Sequence, residues 1–271
     1  MKFTVVGANG FIGSALKAML HTQDFNVFAP TRGANELFTM PLGHVIYAAG
    51  VTADFRTRPF DTHRANTCLV ADLLERAEFE SLLYLSSARI YRHAENSVED
   101  ALIYVQPGDR EDLYDLTKLT GEAICHASGR DSVRVVRLTN VVGPDFSSQN
   151  FLFDLIRSAC ETGQIDLRSA PDSAKDYVLL HDVLGILPRI ATTGRHSCYN
   201  LGSGRNLTHA ELLEPILAIT GARLVVRDDA PKSVVPPINI ARLQNEFGFQ
   251  SSSVLSHIPQ LVHEYWKLTH A

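Results

Sequence analysis

The sequence has four cysteines, one tryptophan, no long apolar run and no block of like charge. Cys68, Cys125, Cys160 and Cys198 lie far apart, with no C-x-x-C and no histidine at zinc-finger spacing, so free thiols are expected rather than a disulfide framework or a metal site. The opening MKFTVVGANG has one lysine and an apolar stretch that breaks at glycine, which excludes a secretory signal or a membrane span there. Lysine and arginine total 25 against 30 acidic residues, a net charge of −5. Without a basic run there is no electrostatic footprint for nucleic acid or an anionic membrane, and an anionic ligand has to be held by local groups. A cytoplasmic location is expected. What is present, 45% hydrophobic and 20% charged residues over 271 positions, suits a packed α/β globule and excludes disorder or collagen-like repeats.

Short β-branched or aromatic runs alternate with stretches of helical period. Strands are expected at residues 3–6, 27–29, 45–48, 82–85 and 133–138, with helices at 11–20, 61–77, 113–126 and 151–159. Strands separated by helices imply right-handed crossovers and a doubly wound parallel sheet. Past Pro144 the pattern loosens into short strand candidates at 176–180 and 225–226 and helices at 209–219 and 254–268. This points to a smaller C-terminal lobe, with the stretch 176–199 returning to the main sheet. Residues 31–43 are too few for an extra strand and crossover, which need at least ~10–12 residues for the crossover alone. The edge strand beyond strand two is therefore expected to be missing, leaving the adenine side of a nucleotide site open.

Directly after the first strand comes Gly7-Ala8-Asn9-Gly10-Phe11-Ile12-Gly13, leading into a helix. Glycine permits a tight turn and close backbone approach, and a helix N-terminus offers free N–H groups to a pyrophosphate. Tyr114 and Lys118 lie one turn apart in a helical segment and so share a face. Ser86 and Ser87 end the strand 82–85, at the carboxyl edge where parallel sheets bind ligands.

Together these residues resemble the extended short-chain dehydrogenase/reductase family of NAD(P)-dependent sugar epimerases, dehydratases and reductases. The resemblance runs through GANGFIG, Ala48-Ala49-Gly50, Asn66, LSSARIY at 85–91, YDLTK at 114–118, RLTNVVGP at 137–144, KDYVLLHDV at 175–183 and YNLGSG at 199–204. It implies a Rossmann-type NAD(P)-binding domain of residues 1–144 plus about 176–199, and a substrate lobe of 145–175 plus 200–271. It also implies a homodimer, paired through helices 61–77 and 113–126, with Thr67, Val70 and Leu74 as one stripe that serves either this contact or the core. By the same resemblance Ser87, Tyr114 and Lys118 form the catalytic trio. Gly7, Asn9, Gly10, Phe11, Ile12, Gly13, Ala48, Ala49, Gly50, Asn66 and Ser86 line the cofactor together with Tyr114 and Lys118. Asn140 and Lys175 fall where substrate phosphates are contacted.

The chemistry of the trio follows from residue type. An ammonium ~4 Å from a phenol, at an effective dielectric of ~20, is worth about 4 kcal/mol, which would bring Tyr114 toward working pH. Tyr114 would then exchange a proton with a sugar oxygen while a hydride moves to or from nicotinamide.

The sequence departs from the family at three places. Dehydratases follow the strand-end hydroxyl with Asp-Glu, whereas here Ala88 and Arg89 stand there, so 4,6-dehydration lacks its acid and base unless Glu99 or Asp100 is recruited. Arg89 and Arg92 are expected to be solvated, with Arg89 the alternative contact for a substrate anion. After the second strand, Ala29-Pro30-Thr31-Arg32 offers no acid for a ribose diol and an arginine for a 2′-phosphate, which favours NADP over NAD. The leading expectation is an epimerase or 4-keto reductase acting on a nucleotide-activated sugar. The competing class is a non-catalytic NAD(P)-binding sensor or scaffold, against which the intact trio argues.

Overall fold

The computed structural model describes residues 1–52, 54–146 and 150–270. The first half alternates as expected: β1 (Lys2–Val6), α1 (Phe11–Thr22), β2 (Asn26–Phe28), β3 (His44–Tyr47), α2 (Pro59–His63), α3 (Leu69–Arg76), β4 (Ser81–Ser87), α4 (Asp112–Ala127) and β5 (Val133–Leu138). The second half adds β6 (Asn140–Val142), α5 (Phe151–Thr162), β7 (Gln164–Leu167), β8 (Ala174–Leu179), α6 (Leu180–Thr193), β9 (Cys198–Leu201), β10 (Asn206–Thr208), α7 (His209–Thr220), β11 (Arg223–Val226), α8 (Ala241–Phe247) and α9 (Val254–His270).

Six parallel strands make the main sheet in the order β2-β1-β3-β4-β5-β9. The order reverses between β1 and β3, the switch point at which such sheets bind ligands. β2 is the edge of the sheet, and residues 31–43 contribute only the 3₁₀ turn Asn35–Phe38. β1, β3, β4 and β5 are almost wholly buried, as expected of parallel strands covered on both faces. α1 and α6 pack on one face and α3 and α4 on the other, forming two apolar clusters.

Of the stretch 176–199, α6 packs on the main sheet, and β9 (Cys198–Leu201) joins it as the last strand. β8 does not; it pairs with β6 and β10 in a separate three-stranded sheet. A third apolar cluster, built from α5, α7, α9 and these strands, fills the C-terminal lobe.

The helix expected at 61–77 is interrupted by a π turn at Arg64–Cys68 between α2 and α3. The sheet beneath meets it with two hydroxyls. Tyr47 and Tyr84 face each other on β3 and β4, stacked at 5.6 Å, and their hydroxyls donate to Ala65 O at 2.5 Å and Asn66 O at 2.7 Å. Two carbonyls of the π turn thus accept hydrogen bonds from the core. Thr67, Val70 and Leu74 are buried against this layer, so the stripe serves the core of its own chain and is not a face for a second copy.

Candidate active site

The turn after β1 is built for close approach. Gly7 has φ +90°, and a Cβ there would meet Ala49 N at 2.5 Å. A Cβ on Gly13 would press into Gly7 O, so α1 lies directly on the turn that precedes it. Gly10 caps α1 with no side-chain hydrogen bond, leaving the first-turn N–H groups to an outside acceptor. Asn9 and Gly10 are exposed, Phe11 and Ile12 half-buried, and the Ala48-Ala49-Gly50 segment lies alongside.

Gly50 opens onto the deeper end of the site. A Cβ on it would lie 3.0 Å from Asn66 Oδ1 and 3.4 Å from Lys118 Nζ. Asn66 is fully buried; its Nδ2 donates to Thr117 Oγ1 at 3.0 Å, while Oδ1 is buried with no hydrogen-bond partner. A glycine cradle at a bare helix N-terminus and an unsatisfied amide oxygen beside a lysine fit a dinucleotide cofactor.

Ser87, Tyr114 and Lys118 come together where β4 ends against α4. The Ser87 side chain lies close enough to the Tyr114 phenol to lower it, and Lys118 Nζ lies 6.0 Å from the Tyr114 ring centre and 5.1 Å from that of Tyr84. The Tyr114 phenol is pushed up to about 12, chiefly by burial, with Ser87 and Arg89 pulling it down and Asp115 pushing it up. The expected drop toward working pH is therefore overturned in the protein alone, because loss of water outweighs the Arg89 charge and Ser87. Burial pulls Lys118 down to about 8, against the nearby Glu122 carboxylate. Phe55, which no motif signals, packs its ring 5.6 Å from that of Tyr114.

Ser86 points the other way. Its hydroxyl donates to Glu122, which is paired with Arg137 at 2.7 Å, both nearly excluded from solvent. Arg137 also donates to Tyr91 Oη at 2.6 Å and Glu99 O at 2.9 Å. Glu122, one turn past Lys118, is the member of this network that helical spacing could have flagged.

Arg89 and Arg92 are not solvated. Arg89 Nε donates to Asp115 Oδ1 at 3.2 Å and Nη2 to Glu111 O at 3.0 Å; Arg92 pairs with Asp112 and, at 3.1 Å, with Asp115. Asp112 and Asp115 are buried, and a buried carboxylate demands a cation. Burial still pushes Asp115 up despite both arginines.

Across the cleft, Asn140 is exposed and donates to Asp176 O at 2.8 Å. Lys175 is half-buried and lowered, first by burial and then by Arg89. Asp176 is buried, pushed up to about 6 by burial, and accepts from Ser203 N and Gly204 N, each at 2.8 Å, fastening the loop after β9 to β8. Arg32 is exposed, beyond the end of β2.

Comparison with known proteins agrees with this geometry. The model of the NAD dependent epimerase/dehydratase family matches residues 3–202. No curated protein matches the chain. Among solved structures, MoeE5 in complex with UDP-glucose and NAD is similar at a TM-score of 0.83 and 21% identity, over 99% of each chain. RMD from Pseudomonas aeruginosa complexed with NADPH is similar at 0.80 and 21%, over 98% of this chain and 100% of that one. UDP-glucuronic acid 4-epimerase from Bacillus cereus, in complex with UDP-glucuronic acid and NAD, is similar at 0.80 and 17%, over the whole of both.

Proposed function

The chain belongs to the NAD dependent epimerase/dehydratase family, and from that premise we propose that it is an NAD(P)-dependent epimerase or 4-keto reductase of a nucleotide-activated sugar. The observation that carries this reading is the juxtaposition of Ser87 at the end of β4 with Tyr114 and Lys118, one turn apart on α4, at the carboxyl edge of the sheet. The turn from Gly7 to Gly13 holds the cofactor pyrophosphate, and Ala48, Ala49, Gly50 and Asn66 line the path to the reacting end. When bound, the nicotinamide supplies the hydride acceptor or donor. Tyr114 takes the proton of the sugar hydroxyl as its C–H leaves as hydride, or returns one to the ketone oxygen in the reverse sense. Ser87 hydrogen-bonds the same sugar oxygen, and Lys118 holds the nicotinamide ribose and stabilises the phenolate.

Lys175, the half-buried cation across the cleft, and Asn140 meet the substrate phosphates, following the nucleotide sugars bound by the similar structures. Arg32 and the lack of an acid in residues 29–32 favour NADP. Dehydration is disfavoured, because Ala88 has no ionisable group, Arg89 is held by carboxylates, and Glu99 and Asp100 are both engaged by Arg242. A homodimer through the α2–α3 stretch and α4, as the family resemblance implies, completes the reading.

Native mass spectrometry of ligand carried through purification tests this function. A nicotinamide dinucleotide together with a sugar nucleotide is expected; neither ligand binding, even on titration, overturns it.

A further inference from the structure

We propose that Arg89 is a positioning residue for Tyr114, fastening both halves of the Ser87–Tyr114 pair and presenting a second cation to the phenol beside Lys118. This rests on the reading of Tyr114 as the proton-transfer group and concerns a residue outside the trio.

One residue holds both partners. The backbone N–H of Arg89 donates to Ser87 Oγ at 3.2 Å, occupying an acceptor site of that hydroxyl and leaving its proton free to donate. The side chain of Arg89 grips α4 at two points on either side of Tyr114. Nε reaches Asp115, the next residue, while Nη2 reaches the carbonyl of Glu111 and, at 3.3 Å, its carboxylate. The guanidinium lies 5.9 Å from the centre of the Tyr114 ring and 5.2 Å from that of Phe55, which packs on Tyr114. The distance to Tyr114 nearly equals the 6.0 Å of Lys118.

The charged surroundings come from several elements. α4 and its N-cap contribute Glu111, Asp115, Lys118 and, deeper, Glu122. The turn after β4 contributes Arg89 and Arg92, the segment before α2 contributes Arg56, which pairs with Glu111, and β8 contributes Lys175. Asp115 opposes the phenolate and Arg89 favours it. Arg92 also holds Asp115, so removing the Arg89 side chain leaves that buried carboxylate with a partner. A planar fork is needed because one nitrogen serves Asp115 and another serves Glu111, which a lysine cannot do at once.

The test is the pH dependence of enzyme-bound NADPH formation from NADP⁺, and in parallel of NADH from NAD⁺, in a single turnover at 340 nm, with UDP-glucose and then UDP-glucuronic acid as probes. In Arg89→Gln the midpoint of the rising limb is expected to move up by roughly one pH unit. The plateau rate is expected to fall about tenfold, with NAD⁺ affinity within about threefold of the parent. Arg89→Lys keeps the charge and loses the fork, so its midpoint stays and its plateau falls about fivefold. A purely structural role would lower the rate without moving the midpoint in Arg89→Gln, and that result overturns the proposal. If Arg89→Gln fails to fold, a parental plateau in Arg89→Lys overturns it instead. Tyr114→Phe separates the two readings: if that variant turns over, the trio itself fails. If it is inactive while Arg89→Gln keeps the parental midpoint, only the role of Arg89 fails. Neither NADPH nor NADH from the parent with either probe removes both.

Discussion

The ammonium of Lys118 donates to the carbonyl oxygen of Leu85 at 2.9 Å, two residues before Ser87 on the same strand. This bond locks the face of α4 that carries Tyr114 and Lys118 to the end of β4. Regular secondary structure thus fixes the trio, since Tyr114 and Lys118 share a helix and Ser87 ends the strand that helix is tied to. Lys118 is nearly excluded from solvent, and its ammonium is retained there at an energetic cost.

Tyr114→Phe is expected to abolish turnover while leaving cofactor affinity within a few-fold, because the ring is kept and only the proton-transfer oxygen is lost. Lys118→Met should impair both. Steady-state rates and cofactor titration measure the two effects, and near-parental activity in Tyr114→Phe would sink the assignment.

Titration of both cofactors into apo protein is expected to favour NADP. Arg32→Ala should weaken NADP by about 1–2 kcal/mol, the scale of a charge-assisted hydrogen bond, and leave NAD unchanged. Tighter binding of NAD by the parent would reverse this choice.

Incubation with NAD and a panel of nucleotide hexoses is expected to give no loss of water by mass. Losing one general acid or base typically forfeits ~10²–10⁴ in rate, and both positions are changed here. A robust 4-keto-6-deoxy product would count against it.

Gly121→Ala is expected to destabilise the protein although alanine favours helices. The new Cβ would lie 2.6 Å from Asn66 O and would collide with the Tyr84 hydroxyl, disturbing the bond between them. Overpacking of about 1–3 kcal/mol exceeds the propensity gain of about 1 kcal/mol. Gly185→Ala in α6 is the control, because a Cβ there meets nothing within 4 Å and should stabilise slightly. Denaturant midpoints for the two variants should move in opposite directions.

Acid should loosen the C-terminal lobe through His209. Its ring is buried, bonded to Ser169 at 2.8 Å and packed on Phe151, and burial followed by the Lys175 charge lowers it to about 4. A folded value below the unfolded 6.5 means that this stability is complete above pH 6.5. It is lost as pH falls through 6.5 toward 4, by about 3 kcal/mol. Thermal melts across that window should show the decline in the parent and a smaller one in His209→Gln; equal declines would remove His209 as the cause.

The glycine turn after β1 and the sheet were legible because glycine spacing and apolar alternation are local signals. The missing edge strand followed from chain length alone: residues 31–43 are too few to build it, and the sheet does end at β2. Arg89 and Arg92 were misjudged because the carboxylates they meet lie some twenty residues downstream, on a helix whose docking no local pattern encodes. The phenol of Tyr114 was misjudged for a related reason. A pairwise estimate from an ammonium contains no measure of burial, and burial is the larger effect. β8 carries the same apolar pattern whichever sheet it joins, so its place beside β6 and β10 had no signature.

The π turn at Arg64–Cys68 acts as a phase shift. Each residue of an α-helix advances the chain by about 100°, so one inserted residue rotates everything after it relative to everything before. Upstream, Thr62 is buried; downstream, Val70, Leu73 and Leu74 fill the core; at the insertion itself Asn66 turns its amide toward Lys118 and Gly50. A strictly regular helix could satisfy the core or aim the amide, because the two demands differ in angle. Deleting one residue here would therefore give a straighter helix and a misdirected Asn66, a loss of aim rather than of folding. The tyrosine pair that donates to two carbonyls of the turn makes the irregular version the one the core supports.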